Sequence, residues 1–211
     1  MVERPLLRVL PPERFETAAL GQARVDSKCR IRVHTNHYSV PASLVGRAVS
    51  WRLSPLHLEV FYDHSLVAVH PILRNRCGER LVLDHYLELL LHKPGAMAGS
   101  LPLHQARTEG WFDANYEQLW SSLRRRLGES AGTRAMIEIL LLHRSLRREA
   151  VDHAVRIAVE IGSCDPGTVA LLARRQANHP VEEFLPLEVE ELSRYDRPVL
   201  ATDQYDLLVS R

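Results

Sequence analysis

Basic residues are regularly spaced along a predicted strand near residue 30. Arg30 and Arg32 alternate with Ile31 and Val33, and this period of two predicts a strand with one basic and one apolar face. Residues two apart on a strand lie about 7 Å apart, close to the phosphate repeat of a nucleic-acid strand. Guanidinium groups at that spacing can follow a phosphate backbone without reading bases.

A second predicted strand extends this arginine rail, which we define as Arg30, Arg32 and Arg52. Arg52 alternates with Trp51 and Leu53, and we expect its strand to neighbour the first. With two nearby cations, the candidate DNA-binding residues are Lys28, Arg30, Arg32, Arg47 and Arg52. The alternative is that these charges only solvate the exposed face of a sheet.

The run Arg124, Arg125 and Arg126 forms a possible second basic patch. It lies on the polar side of a predicted helix whose apolar stripe contains Trp120 and Leu123. A charge run on a helix is commonly no more than a solvated face, so nucleic-acid contact is one of two interpretations. We expect the three tryptophans to lie in the core and not to stack on bases: Trp51, Trp111 and Trp120.

Other chemistries have little support in the sequence. Two-metal phosphoryl transfer needs clustered carboxylates, whereas the predicted strand region offers only Asp26, Glu59 and Asp63. His34 and His37, on a strand and a turn, would not converge on a metal. Neither a Gly-x-Ser-x-Gly nor a glycine-rich phosphate motif supports a hydrolase. We therefore predict no catalytic residues, no metal and no cofactor.

Periodicity changes along the chain from strands to helices. Short alternating segments from Val25 to Ile72 predict about five strands. Apolar residues at helical spacing, with capping residues and terminal glycines, then predict helices over 83–91, from Asp113 to Gly128, over 133–143, over 149–161, and from Asp165-Pro166 to Ala177. The predicted fold class is α+β, with a small five- to six-stranded β-barrel followed by an all-α helical domain.

The predicted organisation has four segments. They are a linker over 1–23, the barrel over 24–76, the helical domain over 80–178 and an acidic extended tail over 179–211.

Charge is unevenly distributed, although the whole chain carries +1. Eight basic and three acidic residues fall within 24–76, whereas three basic and eight acidic residues fall within 180–211. This asymmetry predicts a polyanionic partner at one end of the chain. Without a long apolar run or a secretory signal, we predict a cytoplasmic protein with no membrane partner.

Several motifs, in order, carry a family resemblance. They are NHYSVPASLVGRAVSWRL over 36–53, LEVF over 58–61, HYLE over 85–88, KPGA over 93–96 and GTRAMI over 132–137. This ordered set resembles the C-terminal region of IstA-type insertion-sequence transposases, in which a Mu-transposase-like β-barrel precedes a helical domain.

The resemblance implies a role in DNA recombination and integration. In that family a helix-turn-helix region and an RNase-H-like domain with an acidic triad precede this region, and we expect this chain to lack both. The triad maps to no residue here, so the resemblance implies a non-catalytic C-terminal transposase fragment that binds DNA without sequence preference. Its implied partners are transposon ends, further transposase copies and an AAA+ ATPase.

The competing interpretation is a protein-interaction adapter. Its helical domain would bind a partner such as an AAA+ ATPase, the strands would be scaffold only, and DNA would have no role. Loss of Arg30 and Arg32 would then leave activity unchanged.

Overall fold

The computed structural model describes residues 18–163 and 165–178. Within these ranges the strands are β1 (Ala19–Arg24), β2 (Arg30–Val33), β3 (Asn36–Ser39), β4 (Ala48–Leu53), β5 (His57–Tyr62), β6 (Ser65–Pro71) and β7 (Glu79–Arg80). The α-helices are α1 (Leu87–His92), α2 (Leu101–Thr108), α3 (Ala114–Leu127), α4 (Glu129–Leu141), α5 (Arg148–Glu160) and α6 (Pro166–Asn178). Strands therefore precede helices, which confirms the α+β class.

The described strands form two separate sheets, so the predicted closed barrel is not observed. One sheet has the order β1-β4-β5-β6 and is antiparallel throughout. The other has the order β2-β3-β7, with β7 parallel to β3. The physical reason is that β4 pairs with β1 on one side and with β5 on the other. Both of its edges are occupied, and β2 pairs with β3 alone.

Strand β1 corrects the predicted linker over 1–23. It pairs with β4 from Ala19 opposite Leu53 to Arg24 opposite Ala48. Gly21 lies opposite Trp51, and a Cβ atom at Gly21 would overlap the indole ring. A glycine inside a strand usually weakens it, which is why the sequence indicates a linker here. Residues 1–17 and the acidic tail over 179–211 lie outside the described residues.

The inner faces of the two sheets share one apolar core. Alternation places one set of side chains inward on each strand. The buried members are Val25, Ile31, Val33, Tyr38, Val40, Leu44, Val49, Leu58, Val60 and Ala68. Trp51 is half-buried and packs against this core.

Helix ends follow the predicted capping signals. The Asp113 carboxylate accepts hydrogen bonds from the backbone N–H groups of Asn115 (2.9 Å) and Tyr116 (3.2 Å) at the start of α3. That helix ends at Gly128, whose φ of 88° suits glycine. Asp165 accepts from the Thr168 N–H at 2.8 Å at the start of α6. None of the helices in the described ranges is long and apolar enough to cross a membrane.

One helical prediction needs correction, and one helix, α2, is not predicted from the sequence. The helix expected over 83–91 divides into a 3-10 turn over Leu83–Tyr86 and the short helix α1. Helix α2 lacks a clear apolar period, and its signals are the Ser100 N-cap and Pro102 in the first turn.

The helices form a second apolar core around α3 and α4. Trp120 is buried, and its Nε1–H donates to Thr133 Oγ1 at 3.0 Å. Gly132 lies where the helices approach most closely, because a Cβ atom there would overlap the backbone of Leu123 and Arg124. The tight contact buries Leu123 and Met136 completely, and such dense packing fixes the relative positions of α3 and α4.

A buried polar network connects both sheets to the helical part. The Ser39 carbonyl at the end of β3 accepts a hydrogen bond from His70 Nε2 of β6 at 2.7 Å. Ser39 Oγ lies 2.8 Å from His85 Nδ1 and accepts the Val82 N–H at 2.8 Å. All three hydrogen-bonding side chains are buried: Ser39, His70 and His85.

Both histidines are held neutral by their surroundings. Burial, together with a smaller effect of the Arg80 charge, lowers the pKa of His70 to about 4, although its hydrogen bond to the Ser39 carbonyl acts in the opposite direction. Burial likewise lowers the pKa of His85 to about 4, with His70 and Arg144 opposing and Asp84 favouring its charged form. A neutral imidazole at each position is therefore part of the folded structure.

We predict that the folded state loses stability as the pH falls from about 6.5 towards 4. In this interval the unfolded histidines bind protons that the folded ones do not, so the free energy of unfolding decreases by up to about 1.4 kcal/mol per pH unit for each group. Urea unfolding between pH 7.5 and 4.5 measures this decrease. His70→Gln should flatten it, whereas His104→Gln, at an exposed position, should not. Equal pH dependence in both variants would contradict the assignment.

Candidate nucleic-acid interface

The arginine rail is divided between the two sheets. Arg30 and Arg32 lie on β2, whereas Arg52 lies on β4. Since β2 and β4 belong to different sheets, the prediction that these arginines lie on neighbouring strands is wrong. A single line of guanidinium groups at strand spacing is therefore absent from these three positions.

Arg30 is engaged in intramolecular ion pairs. Its Nη2 lies 2.9 Å from Asp26 Oδ2, its Nη1 contacts Glu79, and its side chain is only 15% exposed. Asp26 also accepts the backbone N–H groups of Lys28 (2.9 Å) and Arg30 (2.8 Å). Burial raises the pKa of Asp26, but the hydrogen bonds from Arg30 and from the backbone outweigh it and lower the pKa overall. Arg30 therefore fixes the turn before β2.

Arg52 is also paired with a carboxylate. Its Nε lies 2.6 Å from Glu59 Oε2 on the adjacent strand β5, and its guanidinium lies 5.9 Å from the centroid of the Phe61 ring. Hydrogen bonding from Arg52 lowers the pKa of Glu59. The positive charge of Arg52 is therefore balanced within the sheet.

The remaining predicted cations are exposed and lie at two places. Lys28 and Arg47 lie beside the start of β2, where the Arg47 carbonyl accepts the Val25 N–H at 2.9 Å. Arg32 lies near the other end of β2, and its Nε donates to the carbonyl of His34 at 3.1 Å. None of these three side chains has a carboxylate partner within the described part of the chain. Their positive charge is therefore available to a ligand.

Three further cations, outside the predicted binding set, have similar exposure: Arg24, Arg74 and Arg76. Arg24 donates to the carbonyl of Gly46 at 2.9 Å, and the other two lie in the loop between β6 and β7. For Arg74 and Arg76, the sequence signal is two charges in a segment between Pro71 and Glu79 that lacks strand alternation. Within 24–76, six basic residues form no ion pair with a described residue. Asp63 is the one acidic residue of this segment that no described arginine engages.

The second basic patch is partly structural. Arg124 lies 4.6 Å above the Trp120 ring and pairs with Glu129 at 3.2 Å. Arg125 and Arg126 are exposed in the last turn of α3, where cations interact favourably with the helix dipole. Nucleic-acid contact by the exposed Arg125 and Arg126 stays a prediction.

Tryptophan positions differ from the prediction at one site. Trp120 is buried, as predicted. Trp111 is 53% exposed, and the Arg148 guanidinium lies 3.6 Å from its ring centroid. Its expected place in the core is therefore wrong, and a cation–π contact replaces core packing.

Within 18–163 and 165–178, no three His, Cys, Asp or Glu side chains lie together in a way that could hold a metal ion. Asp26 and Glu59 are engaged by arginines, and Asp63 lies in the turn between β5 and β6.

We expect Arg30→Ala to destabilise the protein more than Arg32→Ala does. Removing Arg30 leaves Asp26 and Glu79 without their cation, so the free energy of unfolding should fall by about 1–2 kcal/mol. Removing the exposed Arg32 should change it by less than about 0.5 kcal/mol. Denaturant unfolding of both variants tests this difference, and equal stabilities would show that the Arg30 pairs are energetically neutral.

Comparison with known proteins identifies relatives across most of the chain. Residues 10–82 match the family described as Mu transposase, C-terminal domain. A transposase for insertion sequences IS1326/IS1353 of Pseudomonas aeruginosa is 31% identical over 181 residues, or 83% of this chain and 34% of the relative. A putative transposase of Sinorhizobium fredii is 38% identical over 84 residues, or 40% of this chain and 16% of the relative. No solved structure matches the chain.

The matches cover most of this chain but only a minor part of each relative. The chain spans about a third of the length of the Pseudomonas aeruginosa relative, and a transposase of Aminobacter aminovorans, 31% identical, is covered over 27% of its length. These matches confirm the resemblance that the sequence motifs indicate. This chain is related to the insertion-sequence transposases, and its residues 10–82 match the Mu transposase C-terminal domain.

Proposed function

We propose that the strand-bearing part of this chain binds the phosphate backbone of duplex DNA without sequence preference. The observation that carries the proposal is the separation of charges within 24–76. Arg30 and Arg52 are paired with carboxylates, while Lys28, Arg32 and Arg47 are exposed without one in the described ranges. Phosphate contacts supply most of the affinity in non-specific DNA binding.

The proposal uses the relationship to transposases for its biological setting. The relatives' names describe transposases of insertion sequences, and a chain related to them would bind transposon ends and other transposase copies. Its part in transposition would be assembly of the protein–DNA complex. An AAA+ ATPase partner and a cytoplasmic location stay predictions from sequence.

We expect DNA affinity to fall steeply with added salt. Each phosphate neutralised by a cation releases counterions, so the logarithm of the binding constant should fall linearly with the logarithm of salt concentration. Fluorescence anisotropy with a labelled random-sequence duplex, from about 50 to 200 mM salt, measures the slope. Lys28→Ala/Arg47→Ala should reduce the slope by about two, since each lost phosphate contact reduces it by about one.

The adapter interpretation gives a different result in the same titration. It predicts no binding at low salt, or binding that is insensitive to salt. Arg30→Ala serves as a further comparison, because its charge is already compensated. A folded Arg30→Ala protein should keep the wild-type slope.

We further propose that this chain performs no strand transfer. The acidic residues of the strand region do not cluster, since Asp26 and Glu59 are paired with arginines of different sheets. Purified protein with magnesium or manganese should neither cleave nor join duplexes that mimic transposon ends. Activity that co-elutes with the protein through successive columns would contradict this proposal.

A further inference from the structure

Asn36 fixes both ends of a loop that joins the two sheets. The side-chain Nδ2 donates to the carbonyl of Leu73 at 3.0 Å, and Oδ1 accepts the N–H of Gly78 at 2.9 Å. The buried Asn36 side chain, 6% exposed, thus satisfies polar groups at both ends of the segment 73–78. We name residues 73–78 the arginine loop.

Neighbouring residues of β3 hold the same two ends. The His37 N–H donates to the carbonyl of Gly78 at 2.9 Å, and the Leu73 N–H donates to Tyr38 Oη at 3.2 Å. The loop backbone is therefore attached to β3 by four hydrogen bonds. Such attachment reduces the conformational freedom that ligand binding would otherwise have to remove.

Between these attachments the chain projects outward. All four intervening residues are exposed: Arg74, Asn75, Arg76 and Cys77. Cys77 has a φ of 57°, so the backbone turns sharply just before Gly78. An anchored, outward-turning backbone holds the two arginine side chains at the surface.

The two loop arginines differ from the ion-paired arginines of the described chain. Within 18–163 and 165–178, neither Arg74 nor Arg76 has an ion pair or a side-chain hydrogen bond. In contrast, seven other arginines pair with carboxylates: Arg30, Arg52, Arg80, Arg107, Arg124, Arg144 and Arg148. The loop thus presents two uncompensated guanidinium groups on a fixed backbone.

A third cation lies on the same sheet. Arg32 is opposite His37 on β2, and the His37 N–H bonds to the Gly78 end of the loop. Arg32 and the arginine loop therefore flank β3. A guanidinium can donate two parallel hydrogen bonds to one phosphate, which suits each of these three side chains to phosphate binding.

We propose that the arginine loop is the main phosphate-binding element of this chain, with Asn36 as its positioning residue. The ligand is the phosphodiester backbone of duplex DNA. This inference rests on the proposed function and assigns it to a definite loop in place of the arginine rail.

The test is the salt dependence of DNA binding by Arg74→Ala/Arg76→Ala. The slope should fall by about two, because two phosphate contacts are lost. Arg147→Ala/Arg156→Ala removes the same charge from exposed positions of the α5 region and should keep the wild-type slope. Thermal melting should be unchanged for both, since surface substitutions have little effect on stability.

Two further variants distinguish the effect of the arginine charges from the effect of the loop position. Arg74→Lys/Arg76→Lys keeps the charge and should retain most of the slope. Asn36→Ala keeps both arginines but frees the loop ends, so affinity should fall even well below its melting temperature. Wild-type affinity for a folded Asn36→Ala protein would overturn the positioning role.

Failure of the inference is distinguishable from failure of the proposed function. An unchanged slope in Arg74→Ala/Arg76→Ala, with a reduced slope in Lys28→Ala/Arg47→Ala, overturns the loop assignment and leaves DNA binding in place. Absence of DNA binding by the wild-type protein at low salt overturns the proposed function itself.

Discussion

Ser39 accepts hydrogen bonds at its carbonyl and its hydroxyl, and the two acceptors face different parts of the chain. The carbonyl is bound by His70 of the four-stranded sheet and the hydroxyl by the segment that leads into α1. Buried polar groups are costly unless they are paired. The sheets and the first helix must therefore meet at this residue for its polar atoms to be satisfied. Their meeting sets where β7 and the helical part begin.

Ion pairing divides the cations of the chain into two groups. Arginines beside a carboxylate hold the structure together, as Arg80 does with Glu109 of the segment after α2 and Arg144 with Asp84 and Glu88. In the described ranges, arginines without one lie both in the strand region, as Arg47, Arg74 and Arg76 do, and in the helical part, as Arg125 and Arg156 do. A paired guanidinium must break a contact before it binds phosphate. The arginines of the second group therefore contribute most of the positive electrostatic potential that a ligand can reach. Sequence position alone does not separate the groups.

The sequence predicts most of the elements and few of their partners. Alternation at β2, β4 and β5, and the caps at Asp113 and Asp165, are local signals and give the right structure. Strand β1 is not recognised, because its pairing with β4 depends on Trp51 covering Gly21, a contact between distant residues. The same reason explains one of the two partners of Arg30: Glu79 lies 49 residues away, whereas Asp26 is a near neighbour in sequence. Local pattern therefore does not indicate the contact of Arg30 with Glu79.

Gly132 allows two helices of the helical part to approach each other closely. At Gly132, α4 contacts the backbone of α3 with no side chain between them. The two helices are therefore closely packed at this point. Arg134 of α4 in turn donates to the carbonyl of Leu91 in α1 at 3.4 Å. Helix α4 is thus attached both to the backbone of α3 and to the end of α1, and any side chain larger than hydrogen at position 132 would have to separate α4 from α3.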